Sequence, residues 1–110
     1  MAVPKLTTYF KTFTTDALGQ IFMTGIVNVR LYNQVNLEII QWPHAPVTMT
    51  VNCDMGKITG ATLAETVGQF PLGTAGQIHT FDVVGPEFSV VLTGGPPKTA
   101  VPIQAWLFLN

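Results

Sequence analysis

From residue 47 to residue 53 the chain reads Val-Thr-Met-Thr-Val-Asn-Cys, with an apolar side chain at every second position. A period of two marks a strand with one face in a core and one in water, because successive side chains of a strand point to opposite faces. Val47, Met49, Val51 and Cys53 fall on the apolar face, and Thr48, Thr50 and Asn52 on the polar one. The alternation recurs at Phe81 and Val83, and again at Phe88, Val90 and Leu92. In residues 26–32 and 35–41 it places Val27, Val29 and Leu31, then Val35, Leu37 and Ile39, toward a core. Fifteen threonines and many valines reinforce the reading, since β-branched side chains suit a pleated surface better than a helix.

Glycine, proline and asparagine punctuate these runs. Asn33-Gln34 predicts a hairpin between the segments on either side, Gly85-Pro86 a tight turn joining two strands, and Asp54-Met55-Gly56-Lys57 a turn after the Val47 strand. Residues 58–67, small and Thr-rich, are expected as an irregular edge strand. Within 61–67, Leu63 and Val67 are one helical turn apart, but Gly60 and Gly68 leave room for a single turn at most. Gly94-Gly95-Pro96-Pro97 is a loop, because proline removes ladder donors. The count is eight or nine short strands in one domain spanning 1–110. That pattern predicts an all-β fold, a two-sheet antiparallel β-sandwich of jelly-roll or related Greek-key topology. A chain of 110 residues buries enough surface for a core without a staple. None is offered, since Cys53 is the single cysteine.

Residues 103–109 close the chain with Ile-Gln-Ala-Trp-Leu-Phe-Leu, apolar on both faces of a strand. Ile103, Ala105, Leu107 and Leu109 can enter the core; Trp106 and Phe108 then need cover from a neighbouring subunit or from the N-terminal arm with Tyr9, Phe10 and Phe13. Charge content sharpens the point. Asp, Glu, Lys and Arg make up 10% of the chain and the net charge is −1, whereas an ordinary soluble domain carries about 25% charged residues. Copies repel one another weakly, so a homo-oligomer is expected.

Chemistry-bearing residues are sparse. His79 and Asp82, three apart on a predicted strand, point to opposite faces. His44 lies in Trp42-Pro43-His44-Ala45-Pro46 without an acidic neighbour, so no metal or other cofactor is expected. Cys53 follows the alternation into the core, where a thiol is an inert packing group, and the single serine, Ser89, sits in no nucleophile elbow. Asp54-Met55-Gly56 lacks the central hydroxyl of an aspartic-protease Asp-Thr-Gly loop. Lys5, Lys11, Arg30, Lys57 and Lys98 are scattered, with no stripe to neutralise phosphates, so nucleic acid is not an expected partner. The longest apolar stretches, 37–40 and 105–109, fall far short of the ~20 residues that cross a bilayer. The first residues lack the basic start and apolar run of a secretory signal.

These features predict a non-enzymatic structural or assembly protein. Small sandwiches with few charges serve as decoration, tail or capsid-associated components of virus and phage particles, an analogy at the level of fold, with other structural subunits as further partners. The alternative is a carbohydrate-binding module or small oligomeric lectin. Trp42 and Tyr32 would offer sugar-stacking faces there, with Asn33, Gln34 and Asn36 as hydrogen-bonding groups.

Overall fold

The alternating segments become nine strands in a computed structural model that describes residues 3–42, 47–56 and 64–110. They are β1 (Lys5–Thr14), β2 (Ile21–Phe22), β3 (Val27–Asn28), β4 (Gln34–Gln41), β5 (Thr50–Gly56), β6 (Ala64–Pro71), β7 (Gln77–Asp82), β8 (Glu87–Thr93) and β9 (Ala100–Leu109). One sheet has the order β1-β9-β4-β7; the other has β2-β8-β5-β6, with β3 also on β8. Every pairing is antiparallel. The pairs are nested: β1 with β9, β2 and β3 with β8, β4 with β7, β5 with β6. The first half of the chain thus lies against the second half run backwards, and the doubled ribbon is wrapped until β9 also meets β4 and β8 also meets β5. That order is the jelly roll.

The two sheets enclose one apolar cluster. Val35, Leu37 and Ile39 of β4 and Val101, Ile103, Ala105, Leu107 and Leu109 of β9 line one side. Val51, Cys53 and Met55 of β5 and Phe88, Val90 and Leu92 of β8 line the other. Each of the larger side chains contributes roughly 1.5–3 kcal/mol on burial, which makes this layer the source of the fold's stability. Pro102 is tolerated in a central strand because of where it sits. Trp42 N donates to Pro102 O at 3.0 Å, one residue beyond β4, so the missing N–H forfeits a bond only where that ladder ends.

Partner choice departs from the local reading in several places. Residues 26–32 and 35–41 do not form a hairpin about Asn33-Gln34. β3 pairs with β8 in the five-stranded sheet, β4 pairs with β7 and β9 in the other, and Leu31 is 72% exposed. The turn at Gly85-Pro86 likewise crosses between sheets, with β7 placed on β4 and β8 on β5. Asp54 and Met55 continue β5 up to Gly56, and the Met55 side chain is buried. Lys57 and residues 58–63 of the expected turn and edge strand lie outside the described residues, as does His44. From Ala64 onward the chain is the edge strand β6, so no helical turn forms over 64–67.

Beyond β1 the chain is clasped to the loop before β9. The buried Thr15 Oγ1 donates to Pro96 O at 2.6 Å and accepts from Thr99 N at 2.8 Å. Gly19 approaches the same loop with φ +74°, and a Cβ there would collide with the carbonyl oxygen of Gly95. Gly25 shares a positive φ of +63° but has open space around it. Gly25→Ala therefore isolates the left-handed backbone cost of about 1–2 kcal/mol. Gly19→Ala adds a steric cost of roughly 1–3 kcal/mol. Urea unfolding of the two variants should show Gly19→Ala the less stable; equal losses would mean that the 15–19 turn yields freely.

Candidate functional site

Register decides which side chains share a surface. On the outer face of the four-stranded sheet, Leu6, Thr8, Phe10 and Thr12 of β1 stand beside Phe108, Trp106, Gln104 and Pro102 of β9. Asn36, Glu38 and Ile40 of β4 stand beside Phe108, Trp106 and Gln104 on the other flank. Ile78 and Thr80 of β7 complete the face. Trp106 is half-buried here, and its Nε1 donates to Glu38 Oε1 at 2.9 Å. Phe10 and Trp42 meet at the end of β4 with ring centroids 5.5 Å apart and planes tilted by 42°. With Lys11, Thr12, Pro102 and Ile103 they border a hollow of about 90 Å³. Leu6 (60%), Phe10 (64%), Ile78 (64%) and Trp42 (48%) are all substantially exposed.

The five residues read as an interface divide between faces. Phe10, Trp106 and Phe108 lie outside; Tyr9 and Phe13, opposite the buried Ala105 and Val101, lie inside and pack on the core, with Lys11 Nζ 4.6 Å from the Phe13 ring centroid. The N-terminal arm is not a strap over Trp106 and Phe108 but their neighbour within the sheet.

The residues read as a sugar site separate along β4. Trp42 is eight residues from Gln34, about 26 Å at the rise of a strand. Tyr32 packs against the core, while Asn36 is engaged by its neighbours. The Asn36 Nδ2 donates to Phe108 O at 3.2 Å and Asn110 Oδ1 at 3.1 Å, and its Oδ1 accepts from Thr80 Oγ1 at 2.9 Å. Asn33 and Gln34 donate their backbone N–H groups to Asn110 O at 2.8 and 2.9 Å. The companion that the structure gives Trp42 is Phe10, which only the tertiary pairing of β1 brings near.

The five-stranded sheet has two adjoining hollows that the sequence did not signal. One, of about 200 Å³, is lined by Ile26, Asp54, Met55, Gly56, Glu87, Phe88 and Ser89. The other, of about 240 Å³, shares Ile26 and Ser89 and adds Phe22, Gly25, Val90 and Val91. Asp54 Oδ1 accepts from Thr66 Oγ1 at 2.8 Å, and Glu87 Oε1 is buried without a hydrogen-bond partner among the described residues. In the sequence Asp54 belongs to an Asp-Met-Gly run that reads as a turn and lacks the aspartic-protease hydroxyl, so nothing local signals its place in this hollow.

His79 projects from the inner side of β7, its ring stacked on Phe70 at 3.7 Å and 15°. Among the described residues no group of three or more His, Cys, Asp or Glu side chains is placed to hold a metal ion, and no helix is long and apolar enough to cross a membrane. No family model, no curated protein and no solved structure matches the chain.

Cys53 is fully buried, and burial first, then the charge of Asp54, pushes its thiol up from 9.0 to about 12. Between those values the unfolded chain sheds a proton that the folded chain keeps. Stability from this group is therefore complete below about pH 9 and falls as pH rises, by up to about 1.4 kcal/mol per pH unit. Tyr9, also raised by burial, acts in the same direction. Urea midpoints at pH 8 and pH 10.5 should converge in Cys53→Ala relative to the parent chain; an unchanged difference would show that the thiol ionises normally in the fold.

Proposed function

We propose that this chain is a non-enzymatic building block of a homo-oligomeric assembly, of the kind jelly-roll domains form in virus and phage particles. One observation carries the reading: the outer face of the four-stranded sheet exposes Leu6, Phe10, Trp42 and Ile78 around the half-buried Trp106 and Phe108, on a chain with 10% charged residues. A soluble domain gains from covering such a strip, and weak charge leaves little to oppose a second copy. Other structural subunits are further candidates for the same strip. A second reading has its own support in the Phe10–Trp42 pair, whose tilted rings beside Lys11 and Thr12 offer a sugar ring a stacking surface with polar flanks.

Light scattering behind a sizing column, over a hundredfold range of concentration, tests the first reading. A mass that is a multiple of 11.9 kDa is the expected result; a monomer throughout would sink it. Trp106→Ser with Phe108→Ser should shift the mass toward the monomer while the core, which those side chains do not enter, stays folded. For the second reading, added oligosaccharide should move the tryptophan emission of the parent chain but not that of Trp42→Phe.

A further inference from the structure

The edges of the two sheets are unequal. β2 and β3 are two residues each, β7 is six, and β6 slips register against β5 between Cys53 and Asp54 and ends in Pro71. Shortness, bulges and proline are devices that keep an edge from pairing with another chain. β1 has none of them. It runs ten residues in continuous register with β9, without proline, and carries only Lys5 and Lys11 as charged gatekeepers.

Its free backbone groups can be assigned. Thr15 N donates to Thr99 O at 2.9 Å, one step beyond the last β1–β9 pair, and this fixes the phase of the ladder: odd residues of β1 bond to β9. Trp42 N to Pro102 O gives the same phase from the other side of β9, where even residues bond toward β4. The N–H and C=O groups of Leu6, Thr8, Phe10, Thr12 and Thr14 therefore point away from the sheet, and among the described residues no strand lies beyond them.

We infer that β1 pairs antiparallel with β1 of a second copy about a two-fold axis, joining two four-stranded sheets into one of eight strands. The inference rests on the assembly reading and names its contact. A second copy fits because the outward groups all belong to even residues, so any two-fold axis through a residue of β1 sets outward groups opposite outward groups. Charge narrows the register. Centred on Thr8, the pair would set Lys5 opposite Lys11 of the other copy. Centred on Tyr9, it sets Lys5 opposite Phe13 and Lys11 opposite Thr7, while Phe10 meets Thr8 and Leu6 meets Thr12 on the outer face. The apolar strip of Leu6, Phe10, Trp106 and Phe108 then runs unbroken across both copies.

Amide hydrogen exchange read by NMR, with the mass measured on the same samples at low and high concentration, tests this. Thr7, Tyr9 and Lys11 should be protected throughout. Leu6, Thr8, Phe10 and Thr12 should gain at least tenfold protection only as the mass doubles. Thr8→Pro removes an outward N–H and spares the β1–β9 ladder, so it should weaken association at least tenfold while the odd amides stay protected; Thr8→Val should leave association intact. A doubled mass with the even amides still exchanging fast would overturn the edge pairing and leave the assembly reading standing. A monomer at every concentration would overturn both. If Thr8→Pro does not fold, the exchange pattern of the parent chain decides by itself.

Discussion

β9 is bonded on both sides, to β1 through its odd residues and to β4 through its even ones, and the rest of the sandwich follows from that double pairing. Its inner face supplies five buried side chains, and its partners, β1 and β4, come from two different pairs of the nested ribbon. Both ends of the strand are pinned. Thr15 grips the loop before it through Pro96 and Thr99, and Asn110 beyond it accepts from Asn33 N and Gln34 N. Because Lys5 pairs with Leu109, the four-stranded sheet is complete only when nearly the whole chain has closed on itself. Closing so long a loop costs entropy that grows only slowly with length, but the gain arrives late, which is the signature of a slow, non-local folding route.

The two outer faces solve the problem of exposure differently. On the five-stranded sheet, Asn52 links Gln69 and Thr93 through side-chain hydrogen bonds of 2.6 and 3.0 Å, and Thr66 bonds Asp54 at 2.8 Å. Those polar side chains satisfy one another and present groups that water can also solvate. On the four-stranded sheet Phe10, Trp106, Phe108 and Ile78 share the outer face with Asn36, Glu38 and Thr80, and the bond from Trp106 to Glu38 fixes the central ring. The four-stranded face thus gathers its aromatic side chains around Trp106, whereas the five-stranded face combines this polar network with the exposed Phe22 and Ile26.

Much of the architecture was legible in the chain. Alternation at Met49, Val51 and Cys53, at Phe88, Val90 and Leu92, and along 103–109 assigned each of those residues to the core face where the structure has it, because side-chain direction along a strand is a local property. The loop at Gly94-Gly95-Pro96-Pro97 was legible for a similar reason, since two glycines followed by two prolines leave too few donors and too little stiffness to continue a ladder. The surface sites were harder. Trp42 stood out as an aromatic at a strand end, but its companion Phe10 is 32 residues away in sequence, and nothing in either neighbourhood announces the other. The hollow at Asp54 and Glu87 was hidden behind a segment that reads as a turn.

The sequence by itself determined that the chain is all-β, which residues face inward along most of the strands, with Leu31 an exception, and that the chain carries few charges. Tertiary structure alone decided which strands are partners: that β3 joins β8 and not β4, that β7 and β8 part into different sheets, and that β1 lies beside β9 instead of over it. The reason is physical. Backbone hydrogen bonds are the same for every strand, so a period of two states which side faces the core but not which neighbour completes the ladder. That choice is made by the packing of two whole sheets, and it was β9, apolar on both faces, whose neighbours mattered most.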